Sequence, residues 1–337
     1  MRRALAALAV GGALVAGGSA PSPAAAPSTL RTADPAVRQL PVTGYALGSL
    51  PSSVVRRDAH ALSTVGVAGV SIRADGAQVR RPNADLTRLL RVAHDSGLSA
   101  SLLMSNWSER LGRFDTRALG RLLHSRAHRQ EVAARLGQIV RRGGWDGVTV
   151  DLEALRRSYA DDLTAFLAQL RAALPGRASI DIDVSATTRY RSRGYDLRGI
   201  ARSVDRIALM AYDEHGPSWS DPGPIGSLPW QRRCLKAALR LVPPRQVDLG
   251  VAGYGYAWRP GGGGHSVFPR QARQLVADDG AAARWHPRAG EWSAVLSNGT
   301  RLWWSDARSW KQRLRLAEHR GLHGLALWRL GSADPLP

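Results

Sequence analysis

Short runs of alternating hydrophobic and polar residues recur along the chain from about residue 40, and amphipathic segments lie between them. An alternation with a period of two predicts strands, whereas apolar residues spaced three and four apart predict helices. This pattern predicts eight strands, at residues 41–47, 65–72, 98–106, 147–153, 179–185, 206–213, 247–254 and 324–328. Strands that alternate with helices in this way are typical of a parallel α/β fold.

Two of the intervening segments show a clear apolar helical face. In residues 85–94 this face consists of Leu86, Leu89, Leu90 and Ala93, and in residues 161–174 it consists of Leu163, Phe166, Leu167 and Leu170. Each pattern stops near a glycine, at Gly97 and at Gly176. Glycine is common just after the last turn of a helix, so we predict that both helices end there.

The strand patterns favour a closed barrel over an open sheet. In predicted strands four, five, seven and eight, bulky apolar residues alternate with small, polar or aromatic ones, as Val148 and Val150 alternate with Thr149 and Asp151. In a barrel the bulky set packs on outer helices, and the other set points inward, with its acids at the carboxyl-end mouth. An open sheet covered on both faces would show more continuous apolar runs. We therefore predict an α/β fold of the (β/α)8 TIM-barrel type.

The first 39 residues show a different pattern. Met1-Arg2-Arg3 precedes an apolar run at 4–15 and small residues at 17–20, which predicts a secretory signal peptide at 1–20. The apolar run is too short to span a membrane. Residues 21–39 are rich in proline, alanine and serine and predict a linker. We therefore expect a secreted protein whose single domain occupies residues 40–337, with no membrane span.

Composition and charge narrow the class of partner. The chain has 337 residues, of which 44% are hydrophobic, enough for one large core, and its formal net charge is +20. Such a charge suggests an anionic partner, but the basic residues are scattered arginines, with only Lys236 and Lys311 as lysines. We expect no nucleic-acid partner, and attraction to an anionic cell wall stays open. The only cysteine, Cys234, rules out an intramolecular disulfide and predicts a small core residue.

The candidate chemistry lies at the end of the fourth predicted strand. Asp151 and Glu153 stand two residues apart on its polar face. Two acids at close range repel each other, which raises one pKa towards neutrality, as a proton donor at pH 7 requires. An isolated pair of this kind is more often a solvated strand end, so the pair alone leaves both interpretations open.

The eight residues from Asp146 to Glu153 resemble the signature of glycoside hydrolase family 18, the chitinase-like enzymes, whose pattern is D-x-x-D-x-D-x-E on the fourth strand of a (β/α)8 barrel. Asp146, Asp151 and Glu153 match three of the four acids, and Thr149 replaces the other. Residues 209–213 resemble the M-x-Y-D motif of the sixth strand, and Leu327-Trp328 resembles the tryptophan of the eighth. The three motifs stand in the family's order, and the resemblance covers about residues 40–337.

The resemblance implies a mechanism and a set of site residues. Family 18 enzymes hydrolyse β-1,4 bonds next to N-acetylglucosamine with retention, using the substrate's own acetamide as the nucleophile. By this resemblance Glu153 protonates the leaving oxygen and later activates water, and Asp151 holds the acetamide N–H. Tyr212 bonds the acetamide carbonyl, and Asp213 contacts the sugar or tunes Glu153. The implied substrate-binding residues are Trp328 as an apolar floor, Met210 and Tyr45 in the same cavity, and Asp146 as a structural or charge-sharing member.

The chain departs from the family pattern in three places. Thr149 removes an acid from beneath Asp151, which is expected to alter how the buried acids share protons. Residues 99–106 lack the S-x-G-G motif of many chitinases. The stretch 212–230 looks more like the branch that contains bacterial spore-cortex N-acetylglucosaminidases. This branch slightly favours peptidoglycan over chitin as the substrate.

Between strands seven and eight, residues from about 258 to 306 predict a small α+β insertion. The pair Asn298-Gly299 between two strand-like runs is a strong hairpin signal. The insertion is rich in tryptophans. They either stack on sugar rings or hold the insertion against the barrel, and the sequence does not decide between the two.

Two rival functions belong to different classes. One is a lectin-like carbohydrate-binding protein on the same barrel; such relatives typically lose the catalytic acid, and Glu153 is present. The other is an unrelated barrel enzyme that uses His60, His94 or His215 with the acids as metal ligands, but the spacings HxH and HExxH do not occur. We therefore expect a monomeric glycosidase that acts on a polysaccharide containing N-acetylglucosamine, without a metal or an organic cofactor.

Overall fold

The protein is represented by a computed structural model, which describes residues 40–337. The predicted signal peptide and linker lie outside this part. Its strands are β1 (Val42–Leu47), β2 (Thr64–Ser71), β3 (Ser99–Ser105), β4 (Trp107–Ser108), β5 (Arg113–Phe114), β6 (Gly147–Asp151), β7 (Ser179–Ser185), β8 (Arg206–Met210), β9 (Val247–Ala252), β10 (Gly255–Trp258), β11 (Gly264–Val267), β12 (Arg284–His286), β13 (Glu291–Val295), β14 (Arg301–Trp304) and β15 (Gly324–Trp328). Its α-helices are α1 (Ser52–Asp58), α2 (Ala84–Asp95), α3 (Thr116–His124), α4 (Arg126–Gly143), α5 (Ala160–Ala173), α6 (Leu197–Ile200), α7 (Leu228–Ala238), α8 (Pro269–Asp279) and α9 (Ala307–His319). Within residues 40–337, no helix is both long and apolar enough to cross a lipid bilayer.

Eight of these strands close into a parallel barrel in the order β1-β15-β9-β8-β7-β6-β3-β2. The predicted fold class is therefore confirmed, and each of the eight predicted strands has a counterpart. Parallel neighbours need long crossovers, and the helices supply them on the outside of the barrel.

The alternation of apolar and polar residues explains why β6 is a strand whose apolar face packs against the outer helices. Val148, Val150 and Leu152 are fully buried in the same core cluster as Phe166 and Leu170 of α5. Each such side chain contributes about 1.5–3 kcal/mol by leaving water. The intervening Thr149 and Asp151 point into the barrel, as the alternation predicted, because a one-residue slip would bury the acids against the helices instead.

Five strands end earlier than predicted, and two of these ends place residues of the site. The strand expected at 147–153 ends at Asp151, and the one expected at 206–213 ends at Met210. Beyond each end the backbone turns sharply, with positive φ angles of 59° at Ala154 and 61° at Asp213. Glu153 and Asp213 therefore lie on loops at the mouth. Positive φ at a residue other than glycine is unusual and costs about 1 kcal/mol or more, so surrounding contacts must hold these turns.

The two predicted helix ends had different outcomes. After α2, Gly97 adopts a φ of 73°, and its N–H bonds His94 O at 2.9 Å, as expected. α5 ends at Ala173, near Gly176 as predicted, but the glycine is not its cap. The cap is Leu174 in an extended conformation, because the residue before a proline, here Pro175, avoids the helical region.

The segment between barrel strands seven and eight carries a second sheet. Its five antiparallel strands have the order β11-β10-β14-β13-β12, and they share a small core with α8 that includes Ala272, Val276, Leu302 and Trp304. The hairpin predicted at Asn298-Gly299 joins β13 to β14. Gly299 has a φ of 81°, which lets the chain reverse without a side-chain clash.

Candidate active site

A cleft of about 1090 Å³ opens at the carboxyl ends of the barrel strands. Its wall contains six of the eight residues assigned from the sequence: Asp151, Glu153, Met210, Tyr212, Asp213 and Trp328. A second hollow of about 380 Å³ shares Glu153, Met210, Tyr212 and Asp213 with it, so Glu153 faces both. The mouth of a barrel is where enzymes of this fold place their sites, because loops from several strands meet there.

The backbone of Glu153 is held by Asn106, which follows β3. The side-chain Nδ2 of Asn106 donates to Glu153 O at 3.1 Å, and Glu153 N donates back to Asn106 Oδ1 at 2.8 Å. Asn106 is only 1% exposed. The side-chain nitrogen and oxygen of Asn106 therefore both bond the backbone of Glu153. These two bonds fix the position of the acid beyond the end of β6.

Burial and charge raise the pKa values of the two carboxyls. Removal from water and, as smaller contributions, the nearby charges of Asp151 and Asp213 together raise the pKa of Glu153 to about 8. Burial also raises the pKa of Asp151, while a hydrogen bond from Ser105 opposes the rise. Glu153 therefore keeps its proton at pH 7, as a general acid must.

One oxygen of Asp151, a residue of the cleft wall, has no hydrogen-bond partner within the described residues. This oxygen is the buried Oδ1. Beneath it, Thr149 is buried, and its hydroxyl lies 2.8 Å from that of Ser101. The position that carries an acid in the family signature is thus filled by a neutral hydroxyl pair.

Two tyrosines that follow barrel strand β9 orient Asp213. Tyr254 and Tyr256 donate their hydroxyl protons to Asp213 Oδ1 at 2.5 and 2.8 Å. The ring of Tyr212 packs edge-on against that of Tyr254, with centroids 6.2 Å apart. The segment that leads from β9 into the insertion therefore supports the predicted Tyr212–Asp213 pair directly.

The floor of the cleft is aromatic. Trp328, at the end of β15, lies 5.5 Å from the ring of Tyr45, centroid to centroid. The buried Tyr45 hydroxyl donates to Asp183 Oδ1 on β7. Burial raises the pKa of Asp183 well above its usual range, and the charge of Asp151 raises it further.

The structure does not bring Asp146 to the cleft, and its assignment to substrate binding needs correction. Asp146 precedes β6 at the amino end of the barrel, where its Oδ2 lies 2.8 Å from His94 Nε2 and accepts from Ala100 N at 2.8 Å. A strand of five residues separates the two ends by roughly 16 Å. Asp146 ties β6 to α2 and β3, which leaves it only the structural role.

The histidines considered as metal ligands lie apart from the acids of the cleft. His60 contacts Arg57 O, His94 contacts Asp146, and His215 contacts Pro224 O. Between residues 40 and 337, no group of three or more His, Cys, Asp or Glu side chains is placed to hold a metal ion. Cys234, predicted as a core residue, is buried in α7.

Sequence reasoning missed four residues of the site: Asn106, Asp183, Tyr254 and Tyr256. Asp181 and Asp183 repeat on strand five the spacing of Asp151 and Glu153, and this spacing was a usable signal for Asp183. Tyr254 and Tyr256 continue the inward alternation of strand seven. Asn106 carried no local signal, because its partner is 47 residues away in the chain.

The tryptophans of the insertion divide between two environments. Trp304 is buried in the insertion's own core, and Trp292 packs against that core. Trp303 packs instead with the aromatic cluster that includes Tyr254 and Trp328 beside the cleft. The first pair is structural, whereas Trp303 borders the site.

Comparison with known proteins adds a family and several relatives. The model of the family described as Glycosyl hydrolases family 18 matches residues 86–333, well over half of the chain. YdhD of Bacillus subtilis strain 168 is 26% identical over 272 residues, which cover 74% of this chain and 63% of that protein. The cortical fragment-lytic enzyme of the same organism is 24% identical over 295 residues, which cover 81% of this chain and 66% of that protein. The chain thus spans less than two thirds of the length of both relatives.

Among solved structures, a chitinase from Chromobacterium violaceum ATCC 12472 superposes with a TM-score of 0.78 at 25% identity. The superposition covers 88% of this chain and 95% of that one.

Proposed function

The chain belongs to family 18 of the glycosyl hydrolases, and from this premise we propose that it cleaves β-1,4 bonds next to N-acetylglucosamine by retaining, substrate-assisted catalysis. One observation carries the proposal. A single strand and the turn after it deliver Asp151 and Glu153 to the cleft, the first with an unpartnered buried oxygen and the second with a pKa of about 8. An acid that keeps its proton at neutral pH beside a free acceptor suits this reaction.

In the first step Glu153 gives its proton to the glycosidic oxygen. The bond from that oxygen to the sugar's anomeric carbon breaks, and the acetamide carbonyl oxygen bonds to the same carbon, which yields a cyclic oxazolinium ion. In the second step the Glu153 carboxylate takes a proton from water, and the water oxygen attacks the anomeric carbon. The ring opens, and the configuration is retained. Proton transfer of this kind contributes about 10²–10⁴ in rate.

Asp151 and Tyr212 would hold the acetamide in position. The acetamide N–H offers the hydrogen bond that Asp151 Oδ1 lacks, and an ionised Asp151 offsets the positive charge of the oxazolinium. Tyr212 lies in the cleft wall and would donate to the acetamide carbonyl. The Trp328 ring would cover the apolar face of the sugar.

Peptidoglycan is favoured over chitin as the substrate. One relative is named a cortical fragment-lytic enzyme, and the net charge of +20 favours an anionic polymer. Chitin stays a candidate because the chitinase from Chromobacterium violaceum shares the fold.

We also propose that the protein is secreted and acts as a monomer. Residues 1–20 have the charged, apolar and small-residue order of a signal peptide. Amino-terminal sequencing of the protein from a culture medium would find a terminus near residue 21, and light scattering would report one chain per particle.

The direct test is hydrolysis of chitin oligosaccharides and of purified cell-wall sacculi in parallel, with products identified by mass spectrometry. We expect fragments that end in N-acetylglucosamine, and faster release from sacculi. Glu153→Gln should lower kcat by at least about 10²-fold because the general acid is lost, while sugar binding stays measurable by calorimetry. Glu318→Gln, the same change in an exposed acid of α9 that does not line the cleft, serves as the control and should keep most activity.

Two outcomes would contradict the proposal. If Glu153→Gln retains most of its activity, another group is the acid. If the unchanged protein binds both glycans and cleaves neither, it is a lectin-like carbohydrate-binding protein.

A further inference from the structure

A strongly basic groove of about 600 Å³ runs beside the cleft. Its wall carries Arg110, Arg113, Arg117 and Arg121, all of which are exposed, and one carboxylate, Asp115. Four positive charges against one negative charge in this volume attract anions.

The free charge in the groove is positive. Within residues 40–337, the guanidinium groups of Arg110, Arg113 and Arg117 form no ion pair. Asp115 caps α3, and its Oδ1 accepts from Arg117 N at 3.0 Å and from Ala118 N at 2.9 Å. Arg121 is partly used, because its Nη1 donates to Ala74 O at 2.7 Å. Three arginines therefore keep their donors for a ligand.

The groove opens into the cleft at the catalytic end of β6. Both hollows are lined by Ala74, Arg110, Phe114 and Asp115. The groove also reaches Ala154, the residue that follows Glu153. A substituent on a sugar bound in the cleft could therefore reach the arginines.

The arginines are also held in place relative to the acid. Arg110 and Arg113 belong to the β4–β5 hairpin, whose Trp107 and Phe114 rings pack edge to face at 5.3 Å. Asp115 N, just after this hairpin, donates to Asn106 O at 2.8 Å. Asn106 in turn bonds both backbone groups of Glu153. Asn106 therefore holds both the segment that carries the groove and the backbone of Glu153.

We propose that this groove binds carboxylate groups carried by the glycan, so that the enzyme selects an acidic glycan over a neutral one. The inference rests on the proposed glycosidase function and names its substrate class. Arginine forks match carboxylates in a two-bond geometry, and three of them without acidic partners suit a chain of regularly spaced carboxylates. A neutral chain of N-acetylglucosamine would gain nothing from them.

The test compares specificity between substrates. The full-length protein, Arg113→Gln/Arg117→Gln and Arg113→Lys/Arg117→Lys are assayed on three substrates. These are neutral chitin oligosaccharides, sacculus glycan with its peptides, and the same glycan after an amidase has removed the peptides and so exposed the lactyl carboxylates. In the glutamine variant the acidic-to-neutral ratio of kcat/KM should fall by about 2–25-fold, since each of the two exposed contacts is worth about 1.4–5-fold. The lysine variant keeps the charge and should retain most of the ratio.

A matched control removes the same charge from the far end of the barrel. Arg142 and Arg177 are exposed and lie before β6 and β7, so Arg142→Gln/Arg177→Gln should leave the ratio unchanged. Raising salt from 0.05 to 0.5 M should lower the wild-type ratio, because exposed charges are screened over about 10 Å at 0.1 M.

The outcomes separate the two proposals. A fall on the peptide-free glycan alone assigns the lactyl carboxylates as the ligand, and a fall on the peptide-bearing glycan alone assigns the peptide carboxylates. A fall on both means that the groove binds either kind of carboxylate. If the wild type cleaves both glycan classes and the ratio is the same in the glutamine variant, the groove proposal is overturned and the glycosidase stands. Failure of the wild type to cleave any glycan would overturn the proposed function itself.

Discussion

At the residue scale, Asn106 is the group on which the position of the acid depends. Its two hydrogen bonds to Glu153 fix the backbone from which the acid projects. Asn106→Ala should lower kcat by about 10–100-fold, since a displacement of about 1 Å at a reacting group costs on that order. KM should change little, because Asn106 does not line the cleft. Steady-state kinetics on a chitin oligosaccharide at 25 °C would measure both.

A purely structural role for Asn106 makes a different prediction. Loss of folded protein would lower kcat only by the unfolded fraction, and the melting temperature would predict that fraction. Asn298→Ala, in the exposed β13–β14 turn, provides the matched asparagine control and should leave kcat unchanged. If Asn106→Ala keeps full kcat while folded, Asn106 does not position the acid.

The pH profile reports on Glu153. As the acid, Glu153 must be protonated, and its pKa of about 8 means that activity holds through neutral pH and falls above about pH 8. The charge of Asp213 contributes to that pKa. Asp213→Asn removes this charge, so the alkaline limb of kcat/KM should move to lower pH by about 0.5–1 unit.

The position of the limb separates this electrostatic effect from a simple loss of rate. Asp221→Asn changes an exposed acid on the same loop and should leave the limb where it is. A limb that stays in place in Asp213→Asn would show that burial and Asp151 alone set the pKa of Glu153.

At the element scale, a buried ion pair joins the insertion to the loop that carries Tyr212 and Asp213. Arg313 of α9 and Glu291 of β13 are both 1% exposed, with Nη2 and Oε1 3.0 Å apart. The Glu291 carboxylate also accepts from Ile225 N at 2.7 Å and from Gly226 N at 3.0 Å. The pair therefore connects three elements that follow barrel strands six and seven.

Removing one partner of this pair should destabilise the protein strongly. Arg313→Met leaves Glu291 charged, buried and without its partner, which costs about 3–5 kcal/mol of unfolding free energy. Urea unfolding followed by circular dichroism would measure the loss. Arg191 and Asp161 form an exposed pair, so Arg191→Met should cost less than about 1 kcal/mol. If the two variants lose equal unfolding free energy, the buried pair contributes no more to stability than an exposed pair.

How far the sequence predicts each element depends on how local its cause is. Alternation at β6 and β7 is a local property, so strands and inward acids such as Asp151 could be predicted from the residues alone. The pairing of Asn106 with Glu153, and that of Arg313 with Glu291, depends on the closed barrel and left no local pattern. The end of α5 was predicted near Gly176 and lies there, although Pro175 rather than the glycine stops the helix. Asp146 was assigned to substrate binding because it belongs to the motif, although it precedes the strand and so lies at the amino end of the barrel, away from the cleft.

At the scale of the whole molecule, the barrel interior contains several buried acids whose ionisation costs free energy. Asp151, Asp183 and Asp181 all have pKa values raised by burial. The first two belong to the cleft or its floor, where a displaced pKa serves the proposed chemistry. Asp181 does not line the cleft, and its buried Oδ1 has no hydrogen-bond partner within residues 40–337. Burial of Asp181 therefore lowers the stability of the folded protein at neutral pH without serving the proposed reaction.

Asp181 gives the means to measure that cost. Burial, with the charges of Asp248 and Asp205, raises its pKa to about 7. The folded state thus holds a proton that the unfolded state releases near pH 4, so wild-type stability falls as pH rises from about 4 to 7. Asn resembles the protonated form at every pH. Asp181→Asn should therefore match the wild type below pH 4 and exceed it by roughly 2–4 kcal/mol above pH 7.

Unfolding in urea at pH 3.5, 5.5 and 8 would measure this difference. The exposed Asp95, at the end of α2, provides the control, and Asp95→Asn should stay within about 0.5 kcal/mol of the wild type at all three values. The sign of the slope is decisive. If the advantage of Asp181→Asn is constant with pH, the carboxyl titrates normally and its burial is relieved by water. If the variant is less stable at pH 8, ionised Asp181 is stabilised by Arg206 and Arg171, whose charges oppose the rise in its pKa.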